Sequence, residues 1–293
     1  MIKQTLTKPE EIKRVIPLSG GRQLPLTRPL VMGVLNVTPD SFSDGGRFNS
    51  PDRAVARALV MIDEGADVLD IGGESSRPGS EPVEVEEESR RVIPVIERVR
   101  AMSDICISID TYHAATAEAA LDAGADLIND ISALRFDPAI AELAAARKTP
   151  VVLMHMQGTP RDMQQHPHYD DCVAEIVEFL RERAQYATAV GIDRSKLIVD
   201  PGIGFGKRLS DNLEILARLG EFKKLGLPIM IGASRKSFIG QLSQSGTEPS
   251  NRLGGSIAAA VTAVNNGADM LRVHDVAATV EALKVLQGIN AVG

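Results

Sequence analysis

The chain has 293 residues, of which 44% are hydrophobic and 24% charged, and its formal net charge is −7. This composition is typical of a soluble globular protein with a large core, and the negative charge argues against nucleic acid and anionic membranes as partners. No apolar run approaches the roughly 18 residues of a membrane-spanning helix. The charged start, MIKQTLTKPEEIKR, is unlike a signal peptide. We therefore expect a cytoplasmic protein.

The first structural elements follow a proline-rich start. Residues 1–29 lack a clear period and contain Pro9, Pro17, Pro25 and Pro29, so we expect a lead-in segment or a short hairpin that caps the main body. Residues 30–36, LVMGVLN, predict a buried strand. The polar stretch 37–49 is too long for a simple connection, and a helix is predicted over 51–64.

One phrase then recurs along the chain. EGADVLDIGG (64–73), AGADLIND (123–130) and NGADMLRVH (266–274) each join a glycine at a helix end to Ala-Asp and a short apolar strand. Further strands are predicted at 105–110, 149–155, 196–200 and 227–232, which makes eight. The remaining helices are predicted at 84–101, 112–122, 137–147, 169–190, 210–220, 252–265 and 276–287, and Pro94 is expected to kink or interrupt the first of these.

Eight alternating strands and helices predict an α/β protein with a single (β/α)8 TIM barrel over residues 30–293. A doubly wound open sheet is the alternative. The predicted strands end in polar residues, namely Asn36, Asp70, Asp110, Asn129 with Asp130, His155, Asp200, and Arg272 with His274, while Ser234, Arg235 and Lys236 follow the strand at 227–232. In a barrel these residues would gather at the face where active sites lie.

These strand-end residues predict two kinds of binding chemistry. Asp110, Asn129 and Asp200 supply hydrogen-bond acceptors and an amide donor, which suit a flat heterocycle that carries N–H groups. The second set supplies donors and positive charge for phosphate or carboxylate: Arg77, Lys236, Arg272 and His274, with Asn36. The ligand is therefore expected to be a polar ring with an anionic arm.

The stretch 197–207, LIVDPGIGFGK, looks at first like a phosphate-binding loop. The Walker pattern fails because Pro201 and Arg208 occupy its glycine and hydroxyl positions, and the dinucleotide pattern fails because Lys207 replaces its third glycine. We interpret the stretch as a buried strand that ends at Asp200, followed by a glycine-rich turn. This turn would bring Phe205 and Lys207 to the border of the ligand site.

Several of these segments together resemble a known family. GVLNVTPDSFSDGG (33–46), DIGGESSRPG (70–79), ISID (107–110), IND (128–130), LMHMQG (153–158), DPGIGFGK (200–207), SRKS (234–237) and RVHDV (272–276) are similar to the successive motifs of dihydropteroate synthases. The resemblance covers nearly the whole chain from Leu30 onward. It implies a sulfonamide-target transferase of folate biosynthesis, a homodimer, which joins 6-hydroxymethyl-7,8-dihydropterin diphosphate to 4-aminobenzoate with Mg²⁺ and releases diphosphate.

The resemblance also implies roles for particular residues. Asn36 would ligate Mg²⁺ on the diphosphate, which Arg272 and His274 would hold. The pterin would be bound by Asp110, Asn129, Met154, Asp200, Phe205 and Lys236, and the aminobenzoate by Ser76, Arg77, Pro78, Phe205 and Ser234. Asp110, Lys236, Arg272 and His274 would be the catalytic residues, Asp110 by stabilising a cationic pterin-methylene intermediate.

In the family the position of Ser76 is commonly threonine, which puts the packing against the aminobenzoate ring in doubt. The loops at 37–49 and 73–83 are candidate lids. Two alternatives remain open: a pterin-dependent methyltransferase, which would transfer a methyl group to a corrinoid, and a non-catalytic pterin-binding paralogue.

Overall fold

Eight parallel strands form a barrel in the computed structural model, which describes residues 14–38, 50–75, 79–243 and 248–292. An antiparallel hairpin of β1 (Val15–Pro17) and β2 (Gln23–Pro25) precedes them. The barrel strands are β3 (Leu30–Asn36), β4 (Val68–Gly72), β5 (Cys106–Asp110), β6 (Leu127–Asp130), β7 (Val151–Met154), β8 (Leu197–Asp200), β9 (Met230–Ile231) and β10 (Met270–Val273). Neighbours pair in chain order from β3 to β8, and β10 pairs with both β3 and β9. A bridge between Val199 and Ile229 joins the two ends of the sheet, so the predicted (β/α)8 barrel is confirmed.

Helices alternate with these strands on the outside of the barrel. They are α1 (Ser50–Asp63), α2 (Val85–Met102), α3 (Ala114–Asp122), α4 (Ala139–Arg147), α5 (Cys172–Val190), α6 (Leu209–Ala217), α7 (Ser237–Ser243), α8 (Leu253–Asn265) and α9 (Val276–Asn290). The short helix α7 was not predicted, because seven residues are too few to show a helical period. Within the described ranges, no helix is both long and apolar enough to cross a membrane.

Pro94 was expected to kink or interrupt the second helix, and the structure shows that it does not interrupt it. Helix α2 runs without a break through Pro94. The proline removes one backbone hydrogen bond, but Val92, Val95, Ile96 and Val99 of the same helix are fully buried against the barrel. Burial of four aliphatic side chains at roughly 1.5–3 kcal/mol each outweighs that loss.

The hairpin closes the amino-terminal end of the barrel. Its apolar side chains, Ile16, Leu18 and Leu24, pack against the first inward-facing residues of the strands, among them Met32, Val68, Cys106, Leu127, Val152, Ile198, Met230 and Met270. This cluster leaves the opposite, carboxyl-terminal end of the strands as the end where polar residues can gather.

The aspartates of the recurring Gly-Ala-Asp phrase tie the lead-in to the barrel. Each accepts a hydrogen bond from the backbone N–H of a residue at the start of a neighbouring strand: Asp67 from Val31, Asp126 from Ile107, and Asp269 from Ile229. Each also pairs with an arginine that precedes the barrel, namely Arg28, Arg22 and Arg14 respectively. These three aspartates thus have a structural role at the closed end of the barrel.

The three pairs differ in burial, which predicts a difference in stability. The side chain of Asp126 is 3% exposed and also pairs with Arg100, so Asp126→Ala leaves two guanidinium groups without their carboxylate. We expect a loss of about 3–5 kcal/mol in the free energy of unfolding. Arg28 is 47% exposed, and Arg28→Ala should cost at most about 1 kcal/mol. Urea denaturation of both variants tests this order, and equal losses would contradict it.

Candidate active site

An inner pocket lies at the carboxyl-terminal end of the barrel. It is lined by acceptor, apolar and cationic side chains, including Asn129, Ile131, Met154, Asp200, Phe205, Lys236 and Arg272. Five of these residues are among the six predicted to bind the pterin. The sixth, Asp110, adjoins the pocket through its contact with Arg272. The apolar walls belong to a small separate cluster of Ile131, Met154, Met156, Met163 and Phe205.

Strand β8 delivers Asp200 to this pocket, as predicted. The Asp200 Oδ1 atom accepts a hydrogen bond of 2.7 Å from the backbone N–H of Gly202, and the carboxyl group is buried. Burial raises the pKa of Asp200 to about 6. The second oxygen remains available for a ligand N–H.

The glycines after Asp200 permit a close packing of loops. Gly202 and Gly206 have φ of 71° and 62°, which favours glycine. A Cβ atom on Gly202 would lie 1.9 Å from the carbonyl oxygen of His155, and one on Gly206 would lie 2.5 Å from that of Gln157. Side chains at these positions would push the loop away from the strand end, so the spacing of the glycines places Phe205 at the pocket.

The predicted role of Lys207 at the ligand border is wrong. Its side chain is turned into the protein and is 3% exposed, where the Nζ atom lies 3.0 Å from both His155 Nδ1 and the carbonyl oxygen of Phe205. Burial lowers the pKa of Lys207 to about 7 and that of His155 well below its usual value. Lys207 therefore supports the loop from behind.

Arg272 lies at the boundary between the inner pocket and a larger outer cavity, and it lines both. Its Nε atom donates to Asp70 Oδ2 at 2.6 Å, and its Nη2 atom donates to Asp110 Oδ2 at 2.5 Å. Burial raises the pKa of Asp110, while Arg272 opposes that rise. The guanidinium is thus held inside the barrel by two carboxylates.

The outer cavity has a volume of about 400 Å³ and a cationic lining. Its walls include Asn36, Ser75, Phe205, Ser234, Arg235, Lys236, Arg252, Arg272 and His274. Lys236 lies between the two spaces, with its Nζ atom 4.1 Å from the centre of the Phe205 ring. Burial lowers the pKa of Lys236 to about 8, so the ammonium form persists at neutral pH.

The expectation that His274 supplies positive charge is wrong. Burial, together with the neighbouring Arg272, Arg235 and Lys236, lowers the pKa of His274 to about 3, so the ring is neutral. The backbone N–H of His274 donates to Ser234 Oγ, and this hydroxyl lies 3.1 Å from the ring Nδ1. The hydroxyl can therefore donate to Nδ1, which leaves Nε2–H as a neutral donor for a ligand.

Comparison with known proteins agrees with this arrangement. Residues 32–274 match the family described as "Pterin binding enzyme". The dihydropteroate synthase of Escherichia coli K12 is 50% identical over 267 residues, which are 91% of this chain and 94% of that protein. The chain belongs to the dihydropteroate synthase family.

Solved dihydropteroate synthases share the whole architecture. A structure from Xanthomonas albilineans with 4-aminobenzoic acid is 50% identical, has a TM-score of 0.91, and aligns with 96% of this chain and 100% of that chain. A second structure from the same organism, in complex with 7,8-dihydropteroate, is also 50% identical, with a TM-score of 0.86 and coverage of 93% and 98%. As a dihydropteroate synthase, this chain is a transferase.

Part of the predicted aminobenzoate site lies outside the described residues of this dihydropteroate synthase. The structure does not describe Ser76, Arg77 and Pro78, or most of the candidate lid at 37–49. The other predicted residues of the site, Phe205 and Ser234, both line the outer cavity.

Two structural partners of the site were missed by the sequence reasoning. Asp70 appeared among the strand-end residues but received no role, although it contacts Arg272 directly. Asp275 pairs with Arg235 at 2.5 Å. Asp70 lies in the family motif DIGG and Asp275 in the motif RVHD. The motifs therefore identify both residues, but they do not show which side chains these residues contact.

The buried lysine predicts a pH-dependent stability for this synthase. Unfolded lysine has a pKa of about 10.4, whereas that of Lys207 is about 7 in the folded protein. Between these values the unfolded chain binds more protons, so raising the pH stabilises the folded state. Lys207→Met lacks this titrating group. The unfolding free energy of the wild type minus that of Lys207→Met should therefore increase by roughly 2 kcal/mol from pH 7 to pH 9. A difference that stays flat would contradict the buried position.

Proposed function

We propose that the two adjoining spaces bind the two parts of 6-hydroxymethyl-7,8-dihydropterin diphosphate and that the enzyme transfers the pterin-methylene group to 4-aminobenzoate. The observation that carries the proposal is the position of Arg272, which borders both an acceptor-rich pocket and a cationic cavity. The chemistry of these two linings suits a polar ring with an anionic arm. The related structures from Xanthomonas albilineans hold 4-aminobenzoic acid, a substrate of this reaction, and 7,8-dihydropteroate, its product, which supports the proposal.

In the inner pocket, Asp200 and Asn129 would accept hydrogen bonds from the ring. Both are almost fully buried, so hydrogen bonds to them would form with little competition from water. Met154 and Phe205 would contact the faces of the ring, and Lys236 would donate to a ring acceptor. Because Lys236 also borders the outer cavity, it lies where ring and arm would join.

At the junction, the reaction breaks the bond between the methylene carbon and a diphosphate oxygen. A new bond forms from this carbon to the amine nitrogen of 4-aminobenzoate, which then loses a proton. Positive charge develops on the pterin when the diphosphate leaves first. Asp110 would stabilise that charge electrostatically, because its carboxylate is held in place by Arg272.

The diphosphate would lie in the outer cavity. His274 would donate from Nε2, and Arg272 would contribute its charge from the cavity wall. Asn36 lies at the end of β3 and lines the same cavity, so its amide oxygen fits a Mg²⁺ ion, which typically takes one or two protein oxygens, substrate phosphates and water. Bound Mg²⁺ would neutralise the charge on the leaving diphosphate.

The aminobenzoate would approach from the outer cavity. Phe205 lines both spaces, which suits a residue that contacts the ring of either substrate. Ser76, Arg77 and Pro78 would complete this site. Ser234 would act through its hydroxyl, which also contacts His274, and would thus connect the aminobenzoate site to the diphosphate site.

Diphosphate release provides the direct test of this function. Purified enzyme with Mg²⁺, the pterin diphosphate and 4-aminobenzoate should release diphosphate and form 7,8-dihydropteroate in equal amounts. A non-catalytic pterin-binding protein would bind the pterin without forming product. Absence of product with all components present would overturn the proposed activity.

The pH dependence of kcat/KM for the pterin diphosphate should report Lys236 on its basic limb and the buried carboxyl groups of Asp200 and Asp110, whose pKa values burial raises, on its acid limb. Below about pH 6 Asp200 is protonated and loses acceptor capacity, and above about pH 8 Lys236 loses its charge. We therefore expect kcat/KM to fall on both sides of this window. In Lys236→Arg the cation persists to high pH, so the basic limb should disappear even where activity is lower. A basic limb that is unchanged in Lys236→Arg would exclude Lys236 as its source.

We also propose that the enzyme is a homodimer that buries the apolar face of α6, α7 and α8. This face carries the exposed side chains Leu213 and Leu242 at a groove of about 390 Å³, which Phe238 and Ala259 also line. Exposed apolar patches of this kind mark interaction sites. Leu242→Glu should yield monomers in sedimentation equilibrium. Val60→Glu is the matched control, because Val60 is similarly exposed but lies on α1. A dimer that survives Leu242→Glu would place the interface elsewhere.

A further inference from the structure

Asp70 lies in the middle of the barrel, behind the residues that face the ligand. It is fully buried on β4, and a single atom, Oδ2, accepts two hydrogen bonds. One comes from Arg272 Nε at 2.6 Å and the other from Asn129 Nδ2 at 3.1 Å. Asp70 does not line the inner pocket, whereas both of its partners do. The hydrogen bonds of Asp70 therefore reach the pocket through these two side chains.

The contact with Asp70 determines which end of the Asn129 amide faces the ligand. A carboxylate can only accept hydrogen bonds, so the amide must turn its NH₂ group toward Asp70. The Asn129 Oδ1 atom is buried and has no hydrogen-bond partner among the described residues. A buried acceptor without a partner is unfavourable, and a ligand N–H in the inner pocket would satisfy it.

The fixed amide adds to other acceptors at the same pocket. Asp200 presents a second carboxylate oxygen, because only its Oδ1 accepts from Gly202. At these two acceptors, a ring N–H is therefore favoured over an unprotonated ring nitrogen. The 7,8-dihydropterin ring has one more ring N–H than the fully oxidised pterin ring, in which the same nitrogen is an acceptor.

We propose that Asp70 is a positioning residue that makes the pocket selective for the reduced pterin ring, because it holds Asn129 with its carbonyl oxygen toward the ligand. The same oxygen of Asp70 holds Arg272 at the boundary of the two spaces. The inference rests on the proposed function, since it concerns how the same site chooses its substrate.

The test measures binding of two probes by calorimetry, 6-hydroxymethyl-7,8-dihydropterin and 6-hydroxymethylpterin. We expect the wild type to bind the reduced compound at least about tenfold more tightly. The oxidised ring would place an unprotonated nitrogen against the buried acceptor of Asn129, and an unsatisfied buried acceptor costs at least this much affinity. Asp70→Asn keeps an acceptor for both donors and should retain the preference. Asp70→Leu has a similar volume but no acceptor, so the Asn129 amide is free to turn, and the preference should fall below about threefold.

Two further variants keep the test decisive. Ser108 on β5 is the residue paired with Asp70, and its buried hydroxyl has no hydrogen-bond partner among the described residues. Ser108→Ala should therefore leave the preference unchanged. Asn129→Ala removes the fixed acceptor itself and should abolish the preference, even if Asp70→Leu fails to fold. A merely structural role for Asp70 would weaken both probes equally.

Equal wild-type affinities for the two probes, or a preference that survives Asn129→Ala, would overturn the proposal. Neither result bears on whether the wild type forms 7,8-dihydropteroate from its substrates. Conversely, a lack of product formation with a preference intact would overturn the proposed function and leave the role of Asp70 standing.

Discussion

The ion pairs of Arg272 with Asp70 and Asp110 are the interaction on which the site depends. Three strands supply these side chains, since β10 carries Arg272, β4 carries Asp70 and β5 carries Asp110. Burial of a lone guanidinium or carboxylate would be strongly unfavourable. Together the charges hold one another in place, and acceptors and donors are positioned before a ligand arrives. Such preorganisation lets an electrostatic site act without reorganising during the reaction.

The two ends of the barrel divide structural and chemical roles between them. At the closed end, the hairpin packs on the barrel and arginines of the lead-in pair with the aspartates of the Gly-Ala-Asp repeat. At the open end, the carboxyl termini of the strands carry the polar residues that face the inner pocket and the outer cavity. Both sets of aspartates adjoin short apolar strands. The structural aspartates lie immediately before a strand, whereas Asp70 lies within one and Asp110 and Asp200 end theirs.

Burial sets the charge states around the junction as much as neighbouring charges do. It raises the pKa of Asp200 and lowers those of Lys236 and His274. A neutral His274 beside a charged Arg272 gives the outer cavity one directional donor and one strong charge. The two residues therefore contribute different properties to anion binding, although the sequence presents them as a matched basic pair.

The sequence by itself determined the barrel, the strand ends and the family. Strand and helix alternation is encoded in local periodicity, and the motifs name the residues that follow each strand. It did not determine which side chains pair, because pairing across the barrel depends on directions that only the packed strands define. Asp70 against Arg272, and Lys207 turned toward His155 instead of the ligand, were decided by tertiary structure. The neutral state of His274 was decided in the same way, since burial is a property of the folded chain and not of its residues in order.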